Sequence, residues 1–185
     1  MTVMIMVRNY LKLYWLLSCA AILVAGCVSS PEQKAKKEKE EAVSTLRIHL
    51  EVSRSQSDFS IRVPVNREPV VMVTVDKEPF LTEADVTEAR LVEVAGGFDL
   101  QIQFDHHGSL LLEQYTTSNP GRRCAVFCQF GTKAGESRWL AAPAVSRRIT
   151  SGAMTFTPDA SRAEVERIAL GLNNVAEKNK ERSKW

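Results

Sequence analysis

The residue pattern of this chain predicts an α+β fold: a single domain in which a mixed, mainly antiparallel sheet carries about three helices packed on one face. Three observations point there. Short segments in which apolar and polar residues alternate recur from Leu46 onward, the period-2 mark of strands with one wet face. Polar turns or a Gly96-Gly97 pair join several of them, so neighbours come as hairpins and not as a regular βαβ series. Helix start signals occur at three places only, near Thr82, Asp105 and Thr157.

In chain order, Leu46, Ile48, Leu50 and Val52 alternate with Arg47, His49, Glu51 and Ser53, which sets His49 on the wet side of a first strand. Ser53 to Asp58 reads as a polar turn, and Phe59, Ile61, Val63 and Val65 repeat the alternation, so these two strands are expected to pair as a hairpin. Val70 to Val75 is apolar on both faces and rich in β-branched residues, which predicts a central strand covered on both sides. Thr82-Glu83-Ala84-Asp85 opens a helix of about two turns, with a cap and a carboxylate three residues on. Strand character returns from Leu91. Gly96-Gly97 supplies the positive φ angles of a tight hairpin, after which Phe98, Leu100, Ile102 and Phe104 point inward.

Asp105 can cap a second helix, which carries Leu111, Leu112 and Tyr115 on one side and stops at Asn119-Pro120-Gly121. Arg123 to Phe130 is a strand apolar on both faces. Trp139 to Ala142, Val145 to Ile149 and Ala153 to Phe156 are short extended pieces punctuated by Pro143 and Gly152. The last helix is offered two starts, Thr157-Pro158 and Ser161-x-x-Glu164, and Val165, Ile168, Ala169, Leu172 and Val175 form its apolar stripe. Glu177 to Trp185 is charged and expected to fray.

The N-terminal region is of a different kind. In residues 1–26 the only charges are Arg8 and Lys12, and the apolar run from Leu13 to Val24 is shorter than the roughly 20 residues a membrane-spanning helix needs. A cleaved signal peptide fits this pattern. Leu23-Val24-Ala25-Gly26-Cys27 resembles a bacterial lipoprotein lipobox, which implies cleavage between Gly26 and Cys27 and a diacylglyceryl group on the Cys27 thiol. The chain is then expected in the cell envelope, held to a membrane on the periplasmic side by the lipid on Cys27. Val28 in place of Asp favours the outer over the inner membrane in the systems it resembles. Residues 27–43 form the lipidated N terminus and a tether with four Lys and four Glu after Cys27, too poor in apolar side chains to fold. Residues 44–177 form the folded domain and 178–185 a charged tail.

Several function classes are excluded or weakened. Loss of Arg8 and Lys12 with the signal would bring the 24 basic residues down to the 22 acidic ones, leaving no basic stripe for nucleic acid. Cys124 and Cys128 lie four apart on an extended segment, roughly 13 Å from each other, too far for a disulfide and without the His or second Cys pair of a metal site; they read as core residues. His106-His107 reads as a solvated helix start, since adjacent helical residues do not face one site. Asp76, Glu78, Asp85, Glu88 and Glu93 read as capping or turn residues and not as an acid pair for glycoside chemistry. No serine sits in a nucleophile elbow and no glycine-rich loop precedes a helix. No catalytic residue, metal ligand or cofactor is therefore assigned.

The run Glu78-Pro79-Phe80-Leu81-Thr82-Glu83-Ala84-Asp85-Val86, the strand end Phe104-Asp105 followed by Gly108, and Arg138-Trp139-Leu140-Ala141-Ala142-Pro143 resemble the head subdomain of the first periplasmic domain of SecD, the accessory subunit of the Sec translocon. Ile149-Thr150-Ser151-Gly152 and Phe156-Thr157-Pro158-Asp159 before a helix fit the same pattern, and the likeness spans roughly residues 70–176. It implies a non-enzymatic module of protein export or envelope assembly whose partner is an extended or unfolded polypeptide, or an envelope protein. The departures are sharp: after the signal there is no membrane helix, no intramembrane carboxylate and no room for a base subdomain, so the resemblance implies no motor. The expected contact region is Trp139, Leu140, Pro143 and Val145, where peptide would add to a sheet edge, weakly and with little response to salt. A passive envelope scaffold, and an enzyme built from dispersed carboxylates, are the alternatives.

Overall fold

Two strands far apart in the chain form the spine of the molecule. β1 (Val43–Leu50) and β7 (Cys124–Gly131) pair antiparallel along their whole length, from Val43 opposite Gly131 to Leu50 opposite Cys124. The computed structural model describes residues 42–53, 58–131 and 135–182, all within one compact unit, Glu38–Trp185. The predicted signal peptide, Cys27 and residues 28–41 of the tether lie outside the described residues, as do 54–57 and 132–134 of two predicted turns and the end of the tail, 183–185. β4 (Leu81–Thr82) flanks β1 and β8 (Glu136–Ala141) flanks β7, in the order β4-β1-β7-β8. A second sheet has the order β5 (Val86–Val94), β6 (Gly97–Phe104), β9 (Ala153–Phe156). β2 (Ser60–Val65) and β3 (Val71–Asp76) make a separate ribbon. All these pairings are antiparallel.

The fold is α+β, with two helices among the described residues, α1 (His106–Ser118) and α2 (Arg162–Arg182). The first predicted helix is a single 3-10 turn, Glu83–Asp85. Its capping box is present: the Thr82 hydroxyl accepts from Ala84 N–H, and the Asp85 carboxylate accepts from Thr82 N–H at 2.9 Å. The β-branched pair Val86-Thr87 then turns the chain into β5, because such residues suit a pleated strand better than a second helical turn. α1 begins on the Asp105 cap, whose carboxylate accepts from Gly108 N–H at 2.7 Å, and ends at Asn119 as expected. α2 takes the Ser161 start and not the Thr157-Pro158 one: Ser161 N–H donates to Glu164 Oε2 at 2.6 Å, and Glu164 N–H donates to Ser161 Oγ at 3.4 Å. It continues through the predicted frayed tail as far as Arg182.

Leu46, Ile48, Val126, Cys128 and Phe130 of the first sheet share one buried cluster with Leu100, Ile102, Phe104 and Phe156 of the second, closed by Leu112 of α1 and Val165, Ile168 and Leu172 of α2. Each large side chain so buried contributes about 1.5–3 kcal/mol, which makes this the main core. α2 can sit close to β1 because position 171 is glycine; a Cβ there would come within 2.7 Å of the Ser44 main-chain nitrogen.

Several expected elements differ. β1 does not form a hairpin with β2. Period-2 alternation fixes which face of a strand is buried, not its partner, and β1 pairs with β7 and β4 while β2 pairs with β3. The predicted central strand at Val70 to Val75 is β3, covered on one face only: Val73 and Val75 are buried, whereas Val70 and Met72 are 56% and 45% exposed. The β2–β3 ribbon lies over the side of the first sheet that faces away from the main core, and Val63, Val65, Val73 and Val75 pack on Ala125 with Trp139 and Ala142 at the margin. His49, predicted wet, is consequently 6% exposed. The hairpin between β5 and β6 turns through Ala95-Gly96, with Gly96 at φ +88°, so Gly97 is already the first residue of β6. Val145 to Ile149 is not a strand; it belongs to a loop that runs from Pro143 to Ser151.

Candidate functional site

Each sheet edge in this fold is treated differently, and the differences locate the site. The outer edge of β5 is sealed by α2: Asn173 Oδ1 accepts from Ala89 N–H at 2.7 Å and Asn173 Nδ2 donates to Ala89 O at 2.9 Å, standing in for a paired strand. The outer edge of β8 is met by the segment before α2, where Asp159 N–H donates to Leu140 O at 2.7 Å. β2 carries Pro64, which cannot donate to an added strand. β9 is left. Phe104 N–H donates to Gly152 O at 2.9 Å, and in an antiparallel ladder the inward-bonded residues alternate. Met154 and Phe156 therefore bond to β6, opposite Ile102 and Leu100, while the main-chain groups of Ala153 and Thr155 face outward. The Ser151 hydroxyl lies 3.4 Å from Ala153 N, accepting weakly from it. Among the described residues, Thr155 N–H and C=O meet no main-chain partner, and they open along the edge.

That edge borders a cleft of about 560 Å³. Met154, on the core-facing side of β9, and Ala153 and Thr155, on the other, all line it, so it runs along the open edge and not over one face of the sheet. The opposite wall is the loop 143–151, held at four points. Cys124 N–H donates to Pro143 O at 2.9 Å and Val145 N–H to Arg122 O at 2.7 Å, Ile149 N–H donates to Thr116 Oγ1 of α1 at 3.0 Å, and Arg148 pairs with Glu113. Gly152 starts β9. It has φ +66°, and a Cβ there would collide with the Ser109 side chain, so glycine is required at the point where the loop becomes the edge strand.

Of the predicted contact residues, Pro143 and Val145 line this cleft, Val145 from its buried floor. Leu140 is fully buried in the main core and offers nothing to a partner. Trp139 is half-buried, its ring edge-on to His49 and tilted against Phe127, both with centroids at 5.2 Å. Two of the four expected contact residues therefore line the cleft, while Leu140 is buried and Trp139 half-buried away from it. Thr155, Arg147 and Ser151 escaped the sequence reading because an open edge is defined by what fails to pair with it, which no local pattern records.

The titratable groups are structural where their contacts can be read. Burial raises both thiols, Cys124 and Cys128, to about 12. Burial also pushes the Glu164 carboxyl upward, but hydrogen bonds from Ser161 N–H, the Arg138 guanidinium at 2.6 Å and the Ser161 hydroxyl outweigh it and hold it at about 2. Glu93 pairs with Arg162 and Asp76 O accepts from His49 Nδ1 at 2.8 Å. Asp85, Asp105 and His107 come together, with ligand atoms within 4.8 Å of one another and His107 Nδ1 3.0 Å from Asp85 Oδ1. His106 and His107 are both exposed at the start of α1, as expected; His107, with 71% of its side chain exposed, also meets Asp85 because the capping turn lies beside α1. This trio is the set that could coordinate a cation, but Thr82 N–H and Gly108 N–H already occupy its carboxylates, and the positive end of α1 favours anions. It reads as a helix cap.

Comparison with known proteins agrees with this architecture. Two SecDF structures share the fold at 20% sequence identity. One, SecDF in its super-membrane-facing form, superposes on 80% of this chain with a TM-score of 0.52, this chain spanning 21% of it. The other, of a membrane component SecDF that enhances protein export, superposes on 82% with a TM-score of 0.51, this chain spanning 71% of it. No protein of curated function matches by sequence. The profile of the SecDF P1 head subdomain matches residues 60–176, more than half of the sequence, and the chain belongs to the SecDF P1 head subdomain family.

Proposed function

We propose that this chain is a lipid-anchored protein of the cell envelope whose head domain binds extended polypeptide by adding it to the edge of β9, as a non-enzymatic module of protein export or envelope assembly. One observation carries the reading: the outward main-chain groups of Thr155 lie unpaired beside a cleft whose far wall is a braced loop. Main-chain bonding at such an edge gives affinity with little demand on sequence, which suits a partner that has not yet folded. The family supports a role in export, and the lipobox-like Leu23 to Cys27 supports the envelope and the lipid. The chain spans about a fifth of the larger SecDF structure, and no described helix is long and apolar enough to cross a membrane. The work assigned to it is capture of polypeptide near the membrane surface.

The test is site-specific photo-crosslinking in living cells with the probe at Thr155 or, as a position outside the cleft lining, at the exposed Arg167 of α2. Many envelope or secreted polypeptides recovered from position 155, and few from 167, are expected. Capture of one folded protein at both positions would indicate a passive scaffold instead.

A further inference from the structure

The lining of the cleft has a sign. Its floor is apolar, from Leu112 and Val145, while its exposed loop carries Arg147 and Arg148 with the hydroxyls of Ser146 and Thr150, and among the described residues no carboxylate lines it. Arg148 is neutralised by Glu113 of α1. Arg147 has no ion-pair partner among the described residues and faces the same cleft. A chain with nearly balanced charge overall thus places an uncompensated cation beside the open edge of β9.

We propose that the cleft selects, among extended polypeptide segments, those that place an acidic side chain beside Arg147. This rests on the reading of β9 as the docking edge and adds to it a substrate class. A strand laid against Thr155 has side chains that alternate about its axis, so an apolar residue can face Leu112 and Val145 while a neighbouring Asp or Glu reaches the guanidinium. Arginine presents several donors in a fixed fork that matches a carboxylate. The pair would be partly shielded from water by the cleft walls, and it is therefore stronger than a fully exposed ion pair. The expectation of salt-insensitive binding is replaced: total charge says little about the field at one cleft.

The experiment uses the full-length chain in non-ionic detergent and two fluorescent eight-residue peptides of alternating Thr and Val that differ only in a central Glu or Gln. Both are amidated at the C terminus, so that a terminal carboxylate cannot act in place of the side chain. Anisotropy should show the Glu peptide binding about three- to tenfold more tightly at low salt. The difference should close on Arg147→Gln and also at about 1 M salt, where screening is within a few ångströms. Thr155→Pro should weaken both peptides, since it removes the outward N–H while the inward β6–β9 bonds, made by Met154 and Phe156, remain. Equal binding of the two peptides, still weakened by Thr155→Pro, would overturn acidic selection and leave the edge reading standing. Binding unaffected by Thr155→Pro would overturn both.

Discussion

Cys124 and Cys128 show how far a single residue can be read. Both sit on the core-facing side of β7 and are buried, and burial raises each thiol to about 12, so neither is a thiolate at neutral pH. A thiol in that state is a small apolar side chain and an unreactive one. Cys124→Ala and Cys128→Ala should each cost about 1–2 kcal/mol through lost packing, the same with and without reductant. In the folded chain at pH 8 both should resist iodoacetamide, and both should react in urea, as read by peptide mass spectrometry. A melting temperature of the parent chain that depends on reductant would contradict this. Residues whose role depends on a distant partner behave otherwise: His49 was legible as a strand residue but not as a buried one, since the ribbon that covers it comes from a segment whose pairing its own neighbours do not reveal.

At the scale of elements, the β2–β3 ribbon is held to the first sheet by a small valine cluster and by His49, whose Nδ1 donates to Asp76 O at 2.8 Å beside the ring of Trp139. Burial lowers the pKa of His49 from 6.5, and the Asp76 carbonyl only partly opposes it, with Arg47 acting in the same direction as burial. The unfolded chain therefore binds this proton more readily than the folded one, and stability increases with pH in that range. The contribution is complete above the unfolded value of 6.5 and declines as pH falls toward the lower folded value. Amide exchange at Val63 and Val73, corrected for intrinsic rate, should accelerate between pH 7.5 and 5.5 more than at Leu100 or Ile102, and His49→Phe should remove the difference. A uniform response across the molecule would refute it. The elements legible in the sequence were those whose signals are local, such as the stripe of α2, the Asp105 cap of α1 and the β5–β6 hairpin. Strand partners were not legible. β1 finds β7 across the length of the domain, and β9 becomes an edge only because nothing else pairs with it; both facts belong to the topology.

At the scale of the whole molecule, the location of the open edge matters only if the domain is kept where unfolded chains appear. The lipobox-like Cys27 and the mixed-charge segment after it would do this. A flexible tether of about 16 residues has a root-mean-square reach of about 20–25 Å, so the β9 cleft would work close to the membrane surface. The tether itself, with its lysines and glutamates interleaved, adds little affinity for lipid. Acyl chains contribute about 0.8 kcal/mol for each methylene buried, so they would supply nearly all of the attachment. Cys27→Ala should then either release the chain from membranes or leave it as a larger, unprocessed precursor, as followed by fractionation and gel mobility. The same variant should lose the crosslinks formed at Thr155 in cells while keeping its affinity for the acidic peptide when purified, because the edge and Arg147 lie in a domain that does not include Cys27. A Cys27→Ala chain of mature size that still sediments with membranes would show that something other than the lipid holds it there.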